Sequence, residues 1–281
     1  MSARTKPQTP PIIIEQAGLS LGGRELWQGL NLTVAPGEFL AVLGPNGSGK
    51  TSLLRALLGL TELTAGSIQI FGGPPAAGRS RIGYIPQQKG FDPDLSIRGR
   101  DLVHFGLDGN RYGFSFHGRR TATRVNQAIE AVGAGAFADA PVGLLSGGEQ
   151  QRLRVAQALL SEPDLLLCDE PLLSLDLSRQ QAVSALIDAR RRRAGTAVVF
   201  VTHDINPILP MVDRVLYLVG NRWAVGKPDA ILTSEHLSEL YNAAVDVMRL
   251  HGRILVVAAG ESGPEEQGHH HQAGHKPGET A

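Results

Sequence analysis

The chain has 281 residues, 42% hydrophobic and 19% charged, which suits a globular protein with a sizeable core and room for one large domain or two modest ones. Lys plus Arg and Asp plus Glu both number 27, and this zero formal charge argues against a general nucleic-acid binder, which carries a basic surplus. The single cysteine, Cys168, excludes an internal disulfide framework, and no apolar run approaches the ~20 residues needed to span a bilayer.

Residues 1–11, rich in Pro, Thr and charge, read as a flexible leader without the apolar core of a signal peptide, so a cytoplasmic location is expected. From Ile12 to Gly73, short β-like runs surround one strand–loop–helix signal. Residues 38–43 form a mostly continuous apolar run, as a buried parallel strand should. A glycine-rich loop follows, then a helix expected over Thr51–Leu60 with Leu53, Leu54, Leu57 and Leu58 on one face. Residues 89–145 change character, and helices fit best around Ile97–Leu107 and Arg120–Val132. Ser146–Leu160 reads as a helix that stops before Pro163. Leu165–Cys168 is a second buried strand, Arg179–Arg193 a helix and Ala197–Val201 a third strand. This alternation predicts a parallel α/β sheet. Beyond about Ala259 the chain is rich in Gly, Glu and His, and disorder is expected.

Gly44, Pro45, Asn46, Gly47, Ser48, Gly49, Lys50 and Thr51 fit the G-x-x-x-x-G-K-[ST] phosphate loop in full, with Ser52 next in the helix. The glycines let backbone N–H groups converge on phosphate oxygens, and the helix offers its positive end. Lys50 supplies a charge to the β- and γ-phosphates of ATP, and Thr51 a hydroxyl to Mg²⁺. Downstream, the apolar strand from Leu165 ends in Asp169 and Glu170, placed to hold Mg²⁺ and to polarise the attacking water.

Leu145-Ser146-Gly147-Gly148-Glu149 reads first as a helix start, because Ser146 and Glu149 have capping-box spacing. A capping box needs no glycine pair, however, and Gly147-Gly148 leaves bare N–H groups beside a helix N-terminus. That makes a second anion site. Two phosphate-binding devices around one ATP imply a head-to-tail pair of subunits, each lending its second device to the other.

These segments resemble the ABC ATPase family from about Ile12 to Tyr241. The match takes in the phosphate loop, Gln87 after Tyr84-Ile85-Pro86, the signature at 145–149, the acidic strand end at 165–170, the Leu172–Asp176 loop and His203 after Val201-Thr202. The resemblance implies a P-loop NTPase fold with a parallel-sheet core, an N-terminal antiparallel β subdomain and an inserted α-helical subdomain over about 89–163. The ATPase domain is expected over 12–245, with 246–281 a C-terminal segment ending in a disordered His-rich tail. By resemblance, Gln87 touches Mg²⁺ or the attacking water, His203 contacts the γ-phosphate, Ser146 and Gly148 contact the opposite ATP, and Asp176 links the two sites. The partners implied are a second copy, multi-span permease subunits that hold the chain on the inner membrane face, and indirectly a secreted solute-binding protein. The family's adenine-stacking aromatic falls on Leu21, and Trp27 reads as a packing residue.

Phe91-Asp92-Pro93-Asp94, Leu172–Asp176, Thr202–Pro207, Leu232–Glu235 and Leu240-Tyr241 further resemble the ATPases of zinc- and manganese-type importers. An iron-chelate or other solute cargo is the alternative. A clamp on ribosomes or DNA is disfavoured by the lack of a second ATPase domain, a coiled-coil insertion or a basic surplus. Arg190–Arg193 suits a helix C-terminus. His269, His270, His271 and His275 are expected to bind metal weakly at most.

Overall fold

The computed structural model describes residues 9–87, 90–108 and 119–258. The expected leader up to residue 8, Gln88 and the His-rich tail lie outside the described residues. In chain order the elements are β1 (Ile12–Leu21), β2 (Arg24–Val34), β3 (Phe39–Leu43), α1 (Lys50–Leu57), β4 (Ala65–Ile70), β5 (Ile82–Ile85), α2 (Gly99–Asp108) and α3 (Arg119–Ala131). There follow α4 (Gly147–Leu160), β6 (Leu165–Asp169), α5 (Leu177–Ala194), β7 (Ala197–Val201), β8 (Arg214–Val219) and β9 (Arg222–Gly226). The described chain closes with α6 (Pro228–Ile231), α7 (Ser234–Tyr241), β10 (Val245–Leu250) and β11 (Arg253–Ala258).

The central sheet runs β5-β6-β7-β3-β8-β9, parallel throughout except for β9, which pairs antiparallel with β8. Strands β3, β6 and β7 are buried at every residue, as continuous apolar runs require of a sheet covered on both faces. Alternation splits them between two cores. Phe39, Ala41, Leu166, Cys168 and Phe200 join the core that holds α4, α5 and α7, whereas Leu40, Val42, Leu165 and Val199 join the core that holds α1 and the N-terminal sheet. That second sheet is antiparallel, in the order β2-β1-β4.

The fold is therefore the expected α/β P-loop arrangement, with α2, α3 and α4 packed together between β5 and β6. Helix α1 ends at Leu57 rather than Leu60, because Leu58 closes it and Gly59 turns left-handed at φ 64°. The three arginines in the last turn of α5 stay at its C-terminal end, where Arg191 and Arg192 both pair with Asp188 (2.7 Å each). Among the described residues no helix is long and apolar enough to cross a membrane. The hairpin β10–β11, which sequence reading passed over, packs Val245 and Ile254 into the first core.

Candidate functional site

The phosphate loop leaves the C-terminal end of β3, the sheet's buried centre, and enters α1. A Cβ on Gly44 would lie 2.0 Å from the Leu218 carbonyl oxygen of β8, so only glycine lets the loop leave the sheet there. Gly49 stands at the helix N-cap with φ 93° and offers no capping side chain, and the first turn of α1 has no acidic residue. The leading N–H groups of α1 are left for an anion. Beneath Gly49 lies Trp27, fully buried, whose indole nitrogen would be 2.9 Å from an added Cβ. Trp27 is thus a packing residue, as expected, and it supports the loop from below.

Lys50 is 6% exposed, and its ammonium donates to the carbonyls of Gly44 (2.7 Å) and Pro45 (2.8 Å). Burial lowers its pKa, opposed by the nearby charges of Glu170 and Asp169. A cavity of about 400 Å³ opens over the loop. Asn46, Gly47, Gly49, Lys50, Thr51, Ser52, Gln87 and Glu170 line it, together with Leu21, Arg24 and Leu26. Arg24 and Leu26 were not singled out from the sequence. Their signal was there in the Gly22-Gly23 turn, which folds β2 back beside Leu21.

Asp169 ends β6 almost wholly buried, and its Oδ1 accepts from the Thr51 hydroxyl at 3.2 Å. Its Oδ2 is buried and has no hydrogen-bond partner among the described residues. Burial pushes its pKa up, partly offset by the Thr51 bond. Glu170 follows in a left-handed conformation (φ 50°), with its backbone N–H donating to the Val201 carbonyl at the end of β7 (3.0 Å). Its Oε1 meets His203 Nε2 at 2.5 Å, and its Oε2 accepts from Gln87 Nε2 at 3.1 Å. The sheet order, which sets β5, β6 and β7 side by side, gathers Gln87, Glu170 and His203 from three strand ends.

The remaining candidates form a separate group. Ser146 caps α4 in a full capping box with Glu149, whose Oε2 accepts from the Ser146 N–H (2.8 Å) and hydroxyl (2.7 Å). These bonds hold the Glu149 carboxyl below its usual pKa. Gln150 fixes the segment from behind by donating to the carbonyls of Val142 (2.9 Å) and Leu145 (3.0 Å). Gly148 lies against the 172–176 loop, since an added Cβ would stand 3.2 Å from the Ser174 carbonyl oxygen. Asp176 caps α5 through the Arg179 N–H (2.9 Å), and Gln180 braces that loop as Gln150 braces the other, donating to the Leu175 carbonyl (3.1 Å). Ser146, Gly147, Gly148 and Asp176 do not line the cavity over the phosphate loop.

A phosphate loop at the centre of a parallel sheet, with acids at a neighbouring strand end, defines a nucleotide-binding ATPase. The ABC transporter family profile matches residues 27–173. The zinc transport system ATP-binding protein TroB of Treponema pallidum (strain Nichols) is 36% identical over 220 residues, 78% of this chain and 82% of that protein. An ABC transporter described as of metal-chelate type, solved in an inward-facing conformation, superposes with a TM-score of 0.73 at 28% identity, covering 88% of this chain and 96% of that one. The bacterial ABC transporter cassette MJ0796, whose solved form is dimeric, gives a TM-score of 0.69 at 27% identity over 77% of this chain and 98% of that one. The chain belongs to the ABC transporter family and is an ATP-binding, ATP-hydrolysing subunit.

Proposed function

We propose that this chain energises a membrane importer of divalent metal ions, zinc or manganese, as a homodimer docked on permease subunits at the inner membrane face. A secreted solute-binding protein delivers the cargo. The observation that carries the motor is the division of the candidate residues. The phosphate loop, Asp169, Glu170, Gln87 and His203 meet in one place, whereas Ser146, Gly147, Gly148 and Asp176 gather in another. One chain holds two half-sites, and a head-to-tail pair makes two whole ones. The metal cargo rests on the likeness to TroB and on the segments that resemble zinc- and manganese-type subunits.

In this reading the loop amides and Lys50 grip the β- and γ-phosphates, with Lys50 turning from the Gly44 and Pro45 carbonyls toward them. The Thr51 hydroxyl and the partnerless Oδ2 of Asp169 are hard oxygen donors that fit Mg²⁺. When bound, that ion neutralises charge on the phosphate oxygens. Glu170, held from both sides, orients the attacking water and takes its proton. His203 keeps Glu170 in place and reaches the γ-phosphate. Gln87 connects Glu170 to the segment leading into α2, and so to the permease. The partner's Ser146–Gly148 segment closes over the γ-phosphate with the N-terminus of α4, and Asp176 sits at the border of the two sites.

The test of the cargo is reconstitution with a permease partner that co-purifies with this chain. ATP hydrolysis in vesicles is measured with zinc, manganese and a ferric chelate outside. Stimulation by zinc or manganese supports the reading, and stimulation by the chelate alone overturns it.

A further inference from the structure

Five of the eleven large apolar side chains exposed among the described residues lie on the β10–β11 hairpin, which concentrates exposed apolar surface on one small element. The register pairs Asp246 with Val257, Met248 with Leu255 and Leu250 with Arg253, so these six residues share one face. The opposite face packs Val245 and Ile254 into the core. On the outer face Met248 is 51% exposed, Leu250 57%, Leu255 45% and Val257 37%.

The hairpin's edges are already covered. The N–H groups of Val245 and Val247 donate to Ser238 Oγ (2.9 Å) and Ser234 Oγ (2.8 Å) of α7. On the other edge, the Asn206 side chain accepts from the Ile254 N–H (2.8 Å) and donates to its carbonyl (3.0 Å), as a neighbouring strand would. A partner that adds a strand would have to break these bonds, so the face is the open surface. Residues 259–281 contain no Val, Leu, Ile, Met, Phe, Tyr or Trp, so they offer no apolar segment to lay over this face.

We propose that the outer face of β10–β11 packs against the same face of a second copy. Asp246 and Arg253 stand at diagonally opposite corners of the six-residue face, with the four apolar side chains between them. A two-fold axis perpendicular to that diagonal lays Asp246 of one copy on Arg253 of the other, twice. It also sets Met248 and Leu255 against their own counterparts. Such self-complementarity is what an isologous contact requires. The single acid and single base leave no net positive charge to favour an anionic lipid surface.

Four apolar side chains fall well short of the roughly 800 Å² per partner of a standard interface. The contact therefore adds to the head-to-tail pairing proposed above, on which it rests, and is too small to hold two copies together by itself. It is also tied to the switch region. Asn206, which holds Ile254, donates from its backbone N–H (2.9 Å) and its amide (2.7 Å) to Asp204, the residue after His203.

Sedimentation of the full chain carrying Glu170→Gln, with ATP and Mg²⁺, tests the contact. Adding Asp246→Arg weakens dimerisation about tenfold, because like charges then face each other twice. The reversed pair, Asp246→Arg with Arg253→Asp, restores it. Nucleotide affinity of the monomer stays unchanged in both, which separates the hairpin from a failing ATP site. An unaffected Asp246→Arg chain, or a reversed pair that stays weak, overturns the proposal. Should the parent form no ATP-dependent dimer, the head-to-tail reading fails by itself. The hairpin contact is then read alone, without nucleotide, by joining Leu255→Cys chains with a short bis-maleimide, since Cys168 is buried. A joined pair supports the contact, and its absence overturns it.

Discussion

Glu170 is gripped from two sides, its Oε1 2.5 Å from His203 Nε2 and its Oε2 accepting from Gln87 at 3.1 Å. Its plane is set before any water arrives. Replacing it with Gln keeps size and polarity but removes the proton acceptor. Glu170→Gln should bind ATP normally, lower hydrolysis by roughly 10²-fold or more, and accumulate an ATP-bound dimer on gel filtration. Turnover at the wild-type rate would remove Glu170 from the chemistry.

The support beneath the phosphate loop makes a second prediction. Gly49→Ala forces a Cβ to 2.9 Å from the Trp27 indole nitrogen at a φ of 93°. The loop must shift, and ATP affinity should fall at least tenfold with the fold intact by circular dichroism. Adding Trp27→Phe removes the 2.9 Å contact with the indole nitrogen but leaves Leu26 Cβ at 3.2 Å and the backbone strain, so calorimetry should show partial recovery. Normal ATP binding by Gly49→Ala alone would mean that Trp27 does not hold the loop in register.

Leu21 lines the cavity 47% exposed, where the family resemblance places a ring for adenine. Stacking on an aromatic side chain contributes about 1–3 kcal/mol per base in nucleic-acid binders. Leu21→Tyr should therefore raise ATP affinity by about 1 kcal/mol, the low end for a half-exposed ring. The wild type should discriminate weakly between ATP and GTP. Strong ATP preference by titration calorimetry would assign base reading to another group in the cavity, with Arg24 the first to replace.

The capping box at Ser146 gives a pH dependence. The bonds from Ser146 hold the Glu149 carboxyl below its ordinary value of 4.5. Its contribution to stability is therefore complete above pH 4.5 and is lost as pH falls from there through the lower folded value. Glu149→Ala removes about 0.3–1 kcal/mol at neutral pH, the size of an exposed acid at a helix N-terminus. In thermal melts the gap between wild type and variant should narrow below pH 4.5. A gap that widens in acid would contradict the assignment.

Much of this architecture was legible because its buried strands are unbroken apolar runs and its loops carry their chemistry in sequence. The strand at Ala197–Val201, the capping box at Ser146 and the packing role of Trp27 all stand where the residues placed them. What escaped notice depends on long-range approach. Arg24 and Leu26 reach the cavity only because β2 folds back on β1, and a helix read to Leu60 is cut short by its own glycine. The β10–β11 hairpin carries apolar residues on both faces, so its period-2 alternation is blurred although its His251-Gly252 turn is a fair signal. Asn206 lies in the 202–207 stretch whose resemblance was read as a whole, and only the fold sets it against Ile254, 48 positions away.

In the proposed head-to-tail pair each ATP site is built from two chains, the phosphate loop of one and the Ser146 segment of the other. Lys50→Ala disables the first half-site and Ser146→Ala the second, so each purified variant should lack ATPase activity. In a mixed dimer the Ser146→Ala chain supplies an intact phosphate loop and the Lys50→Ala chain an intact signature segment, and together they complete one site. ATPase activity of the mixture should therefore exceed that of either variant at the same total concentration. A mixture as inactive as its components would contradict the shared site.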